Sequence, residues 1–261
     1  GGTGSYAIEV KSSGVTIKNL TLSGSSFSLL YAENYDNLHV ENVVLSSIDS
    51  NYGIYFDRTE QTTIISVTVN STAKKSVYVT EGKAITFKDS YFMNSSSSHG
   101  FHIVDSEDII LDNVLIYNSG YNGSTAYGLY ISGSDDITIK NSVKVASSKS
   151  YELFVNDVSD LIIRNSTFVG NNLASIVASD GFLVENSMFK GTLNGDYGVE
   201  VKSTVGAIFK DNTIKNSAAD GGSDYGALYL TGSSSSLIQN NTIINSGKSG
   251  IHLKSSSANN K

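Results

Sequence analysis

One short phrase, repeated along the whole chain, constrains the fold more than any other feature. It reads Val15-Thr-Ile-Lys-Asn19, Leu38-His-Val-Glu-Asn42, Ile109-Ile-Leu-Asp-Asn113, Ile137-Thr-Ile-Lys-Asn141 and Leu161-Ile-Ile-Arg-Asn165. Degenerate copies end at Ser66, Asp89, Asn186, Asp211 and Asn240, so the repeat interval runs from 21 to 29 residues. A fixed period of this size marks stacked, quasi-identical units. A second phrase falls midway: Tyr52-Gly-Ile-Tyr, His99-Gly-Phe-His, Tyr127-Gly-Leu-Tyr and Tyr197-Gly-Val-Glu. Both phrases alternate apolar with polar residues, the periodicity of strands. No stretch keeps helical spacing over three turns, and one phrase per coil is unlike the hairpin turns of a sandwich or barrel. The spacing therefore predicts an all-β solenoid of about 10–11 coils with three short strands in each, stacked ~4.8 Å apart.

These phrases, with their Asn-ended second strand, resemble the right-handed parallel β-helix repeat family, the pectate-lyase-like superfamily with its carbohydrate-binding and sugar-hydrolase repeats. The resemblance runs from about Tyr6 to Leu253. It implies a single-stranded right-handed solenoid with an asparagine ladder at one turn. Residues 1–261 are expected to form one domain, and the want of an amphipathic capping helix at either end suggests a segment of a longer protein. It carries little about activity, because one fold hosts pectin-active enzymes, depolymerases and adhesins alike. The ladder also has a local reason: Asn enters the left-handed conformation of a tight bend more readily than any residue but Gly.

Alternation assigns the faces. Inward columns include Ile17, Val40, Ile64, Phe87 and Leu111 on the second strand, and Leu45, Val69, Phe92 and Ile116 on the third. The pairs Ile54/Phe56, Phe101/Ile103, Leu129/Ile131 and Ile251/Leu253 face inward on the first. None of these columns holds a charge, so the interior is expected to be free of ions. The outward column of the second strand alternates in sign through Lys18, Glu41, Lys88, Asp112, Lys140, Arg164, Glu185 and Lys210, a solvated charge ladder.

The formal charge of −7 and the presence of only two arginines argue against nucleic acid. No apolar run approaches the ~18 residues of a membrane-spanning helix. Cys is absent, which excludes disulfides, thiolate metal sites and a Cys nucleophile.

The outward column of the first strand is the functional candidate. It reads Glu9, Tyr31, Tyr55, Tyr78, His102, Tyr130, Phe154, Val177, Glu200, Tyr229 and His252. Gly53, Gly100 and Gly128 are expected on the same face, leaving the rings uncovered. Asp57, Thr80, Ser132 and Asn156 would supply polar groups beside them. Rings flanked by hydrogen-bonding groups suit sugars, so Tyr31, Tyr55, Asp57, Tyr78, His102, Tyr130, Phe154 and Tyr229 form the candidate binding set. The plain alternative is a stacking ladder that only holds parallel strands together. Two longer loops, Tyr117 to Ala126 and Lys215 to Asp224, would wall this groove.

Catalysis of glycan cleavage calls for paired carboxylates. Glu152 and Glu200, two coils apart, are the candidates, with Asp57, Asp196 and Asp224 at the edges. His102 or His99 with a nearby Tyr could form an acid–base pair. Asp108, Asp136 and Asp160 occupy equivalent turns and could share a Ca²⁺, although each could as well cap its own turn; no other cofactor is expected. The leading expectation is an extracellular or cell-surface polysaccharide-binding module. A hydrolase or lyase in the same groove is the alternative. A structural spacer, adhesin or filament subunit that associates end to end or laterally is the third.

Overall fold

The computed structural model describes residues 5–123, 126–192, 198–217, 226–255 and 257–261. The described residues contain strands and turns but no helix, and the 28 strands form one continuous hydrogen-bonded system. Every strand pairs in parallel with its counterpart one coil away, as in Ile54 with Val77 or Ile64 with Phe87. The chain is thus a parallel β-solenoid of three sheets. The first sheet holds strands such as Tyr52–Asp57, Lys75–Thr80 and Phe101–Val104; the second, Glu60–Ile65 and Lys83–Lys88; the third, Thr68–Thr72 and Tyr91–Ser95. At one coil the first and second strands run together, in Leu129–Lys140.

The expected columns fill the interior. Phe56, Ile64, Val69, Phe87, Phe92, Phe101 and Leu111 are all 0% exposed. Phe87, Phe92 and Phe101 meet edge to face with centroids 4.7–5.9 Å apart, a favoured aromatic geometry. Ile251 and Leu253 depart from the pattern. They lie on the last strand, which has a partner on one side only, and stay about half exposed at 46% and 47%.

Corners are made by residues with positive φ. The second-to-third corner uses Asn19, Asn42, Ser66, Asp89, Asn113, Asn141, Asn165, Asn186, Asp211 and Asn240, the ladder expected from sequence. Its amides link coils: Asn42 Nδ2 donates to Asn19 Oδ1 at 2.8 Å and Asn113 Nδ2 to Asp89 Oδ1 at 2.7 Å. A second amide ladder lies at the third-to-first corner, where Asn94 donates to Asn70 and Asn118 to Asn94, both at 2.7 Å. Buried hydroxyls complete the bends. Ser106 Oγ accepts from Gly82 N–H at 3.1 Å and donates to the Val104 carbonyl at 2.8 Å; Ser134 then serves Ser106 N–H at 3.1 Å.

The charge ladder forms as expected, with Lys18–Glu41 at 2.7 Å and Arg164–Glu185 at 2.6 Å.

Removing one corner hydroxyl isolates a buried amide. Ser106→Ala leaves Gly82 N–H without an acceptor, and an unsatisfied buried donor costs about 1–3 kcal/mol. Chemical denaturation should show a loss in that range; a change within error would show that the hydroxyl is dispensable.

Candidate functional site

The first sheet departs from simple alternation at its entry. Gly53 does not face the groove: a Cβ there would collide with Val69 Cγ1 inside the solenoid. Gly100 and Gly128 point inward in the same way, toward Ile116 and Val145. Two successive residues of each strand therefore face the core, as with Leu29 and Leu30, both buried. Such a one-residue irregularity reverses the parity of everything before it. The outward residue is then not the glycine but the one preceding it. Side chains at i and i+3 share the face, and at Gly53, Gly100 and Gly128 the glycine is needed because neighbouring atoms already fill the inner corner there.

The result is a double row of rings. The row expected from sequence is present and in register: Tyr31 beside Tyr55, Tyr55 beside Tyr78, Tyr78 beside His102, His102 beside Tyr130, and Tyr130 beside Phe154. The next partner is Ser175 rather than Val177, because this short coil shifts the register by two residues. The second row, at i−3, was not foreseen. It contains Tyr52, Lys75, His99, Tyr127 and Tyr151. Centroids of paired rings lie 5.1 Å apart for Tyr52 and Tyr55, 4.9 Å for His99 and His102, and 5.5 Å for Tyr127 and Tyr130. The signal was the phrase Tyr-Gly-X-Tyr itself, whose Gly marks the bend.

These rings stack on one another along the rod. Tyr130 and Phe154 are parallel at 5.4 Å, Tyr127 and Phe154 lie within 15° at 4.7 Å, and His99 is within 12° of both Tyr127 and Tyr130 at 5.0 Å. Ring faces are therefore largely covered by neighbouring rings, and the face offers edges and phenol groups. Among the described residues the hydroxyls of Tyr52, Tyr55, Tyr78, Tyr127 and Tyr130 have no hydrogen-bond partner, and they are not sealed from solvent. Burial raises the Tyr55 phenol to about 12 and raises Tyr52 and Tyr127 as well. All three stay protonated donors at neutral pH.

Lys75 stands in the middle of this surface. Its Nζ lies 4.1 Å from the Tyr78 centroid and 5.7 Å from that of Tyr52, a cation–π contact. Among the described residues no carboxylate pairs with it, and burial lowers its pKa to about 8. His99 accepts from Tyr127 N–H through Nδ1 at 3.1 Å, which leaves its proton on Nε2. Desolvation, with Lys75 adding to it, lowers His99 to about 4 and His102 to about 2. Both nitrogens of His102 are sealed and unpartnered.

One edge of the face is a polar network. Arg58 NH2 donates to Glu33 Oε1 at 2.7 Å, its Nε donates to Asn34 Oδ1 at 2.8 Å, and NH1 lies 3.1 Å from Asp57 Oδ1. Glu33 in turn accepts from Tyr31 OH at 2.5 Å. Desolvation raises the Asp57 carboxyl even so. Beside Tyr31 lies a depression of ≈ 510 Å³ lined by Glu9, Lys11, Glu33 and Tyr35.

The paired carboxylates do not form. Glu152 occupies the inward position equivalent to Gly128, is 0% exposed, and faces away from the groove. It also breaks the expectation of an ion-free interior, because the reversed parity adds an inner column that alternation does not show. Glu200 does lie in the outward column but is only 3% exposed, held by Lys202 at 2.7 Å and Ser175 at 3.1 Å. Tyr229, beside it, is 8% exposed and offers no open ring. Asp196 and Asp224 lie outside the described residues, as do residues 218–224 of one expected loop and 124–125 of the other. The remaining part of the first loop is pinned to the preceding coil by Asn122 Nδ2 donating to Ser96 Oγ at 3.1 Å. Asp108, Asp136 and Asp160 are exposed, and each is the left-handed residue of its own turn, with φ of 53°, 53° and 51°. No group of three or more His, Asp or Glu suited to a metal gathers among the described residues.

A family model described as the right-handed beta helix region matches residues 52–192 and 153–261. The chain belongs to the right-handed β-helix family. No curated protein matches its sequence. Several solved structures share its architecture. The A-module of the Azotobacter vinelandii mannuronan C-5 epimerase AlgE4 superposes with a TM-score of 0.76 at 14% identity, covering 99% of this chain and 79% of that one. The AlgE6 A-module from the same organism gives 0.71 at 15%, covering 94% and 79%. An alginate lyase from Paenibacillus sp. str. FPU-7 gives 0.62 at 15%, covering 91% and 90%. At such identities the likeness is one of fold.

The sealed imidazoles make a direct spectroscopic prediction. Resonances of His99 and His102 should keep the neutral form from pH about 8 down to about 5, whereas a free imidazole titrates near 6.5. Because the unfolded chain takes up these protons first, the pair lowers stability as pH falls below about 6.5. A normal titration of either ring would contradict this placement.

Proposed function

We propose that this chain is a polysaccharide-binding β-helix that holds an acidic glycan along the ring-bearing face of its first sheet, at the cell surface or outside the cell. The observation that carries this reading is the double row of hydroxyl-tipped rings interrupted by one unpaired amine, Lys75. Phenol donors at successive coils can meet a run of sugar oxygens, ring edges can pack against C–H groups, and Lys75 can meet a carboxylate. The names of the structural neighbours support the same chemistry, since mannuronan and alginate are polymers of acidic sugars. The chain's overall negative charge disfavours indiscriminate anion binding, which makes a local cation the discriminating group.

A second reading, catalysis in the same place, is favoured by the two neutral imidazoles next to Tyr78, Tyr130 and Lys75. A neutral His can take a proton and a phenol can give one. Glu152 is sealed inside and Glu200 is already paired, so a two-carboxylate hydrolase is the weaker form of this reading.

Affinity electrophoresis against alginate, polygalacturonate and a neutral glucan separates these readings when each lane is also assayed for modified or released sugar. The binding module predicts retardation by the acidic polymers without products. Tyr55→Phe with Tyr130→Phe keeps both rings and removes two donors, which should weaken binding roughly 5- to 150-fold at about 0.5–1.5 kcal/mol per hydrogen bond. Lys75→Met should remove the preference for acidic over neutral polymer. Binding should also weaken as pH rises through about 8, because the free amine there loses its proton. Equal affinity of Lys75→Met for alginate would refute the role given to the amine, and products that vanish in His102→Gln would move the assignment to an enzyme.

A further inference from the structure

The inner corner where each coil enters the first sheet is reserved for small or apolar residues. Its column runs Leu29, Gly53, Ser76, Gly100, Gly128, and resumes with Leu173 and Ala227 after Glu152. A carboxylic acid at 0% exposure is out of place in that series. Space has been made for it on the next coil: a Cβ at Gly170 would collide with Glu152 Oε1. Its hydrogen bonds come from the turn just before its own strand. Ser148 N–H reaches Oε1 at 3.1 Å and Oε2 at 3.2 Å, and Ser148 Oγ–H reaches Oε2 at 2.7 Å.

Among the described residues no counter-charge faces the carboxyl. The elements around it present Gly128, Val169, Gly170 and Leu173, and the nearby cations Lys144, Lys149 and Lys190 are all exposed. Burial pushes the group up to about 7, and the hydrogen bonds from Ser148 and Ser147 oppose that only in part. Glu152 itself borders a pocket of ≈ 240 Å³, together with Ser147, Ser148, Gly170, Asn171 and Thr192.

We propose that Glu152 is a proton-operated latch: as a neutral acid it stays sealed and fastens the turn at 147–150, and as a carboxylate it swings toward the pocket and releases the turn together with Tyr151. Two observations carry this, the absence of any cation beside a fully enclosed acid and a vacant space within reach for its charged form. Tyr151 closes one end of the second ring row, so release of the turn loosens that end of the ring-bearing face. The latch does not depend on whether the face binds a glycan.

The folded-state value lies above the ordinary 4.5, so the acid's contribution is fully present below that value and is lost as pH rises to about 7. A gap of this size corresponds to a change on the order of a hundredfold in the opening equilibrium. Amide hydrogen exchange of residues 147–152, normalised to the intrinsic rate at each pH, reads it directly. Wild-type protection should fall on the order of a hundredfold between pH about 5 and about 8.5, while strand Phe101–Val104 stays unchanged. Glu152→Gln, neutral at every pH, should stay protected throughout. Equal pH dependence in the two proteins, or none in either, overturns the proposal. A carbon-13 titration of the wild-type Glu152 carboxyl keeps the test intact if the variant does not fold: a midpoint near 7 supports the latch, and a midpoint in the ordinary Glu range rejects it.

Discussion

The rod depends on bending the chain sharply at every corner without breaking the ladder between coils. Each bend uses a residue in the left-handed region, where a non-glycine side chain costs roughly 1–2 kcal/mol. Ten such residues, from Asn19 to Asn240, form one corner alone. The cost is met locally. Side-chain amides bridge from coil to coil at the surface, and buried hydroxyls such as those of Ser90 and Ser106 accept the amide of the coil before and donate to a carbonyl two residues back. With the corners held in register, parallel strands follow, and like residues come to lie above like.

That repetition explains what could be read from the sequence. The left-handed residue is chemically restricted, so Asn and Asp recur and reveal the period. The two interior columns of the second and third strands obey strict alternation and are legible residue by residue, as Phe87 and Phe92 illustrate. The first strand is different. Its glycine entry inverts the parity, so Gly53 and Glu152 were assigned to the groove and belong to the core, while Tyr52, His99, Tyr127 and Tyr151 passed unnoticed as the second ring row. Val177 in place of Ser175 has a similar origin: both point outward, and only the strand pairing distinguishes them. Burial of Glu200 and Tyr229 depends on tertiary surroundings that a column of letters does not contain.

Stacking and hydrogen-bonding capacity share the same rings here. Rings that pack face to face over coils stabilise the parallel sheet, which is the plain alternative raised from sequence. They also turn their edges and hydroxyls outward, and burial raises the pKa of the Tyr52, Tyr55 and Tyr127 phenols further. The aromatic ladder is thus both a structural element and a line of donors. Desolvation by the same rings keeps His99 and His102 neutral and weakens the proton affinity of Lys75, so the electrostatic character of the surface derives from its packing.

A regular comb of donors has translational near-symmetry: a polymer laid along it finds several almost equivalent alignments, each one coil apart. Lys75 breaks that symmetry. It is the only cation in its row among the described residues, occupying the place that rings fill at Tyr52 and His99, and under the binding proposed above it would single out one alignment from the rest. A repeating scaffold acquires an origin, in the sense of a marked point on a ruler, through a single substitution in one of its columns.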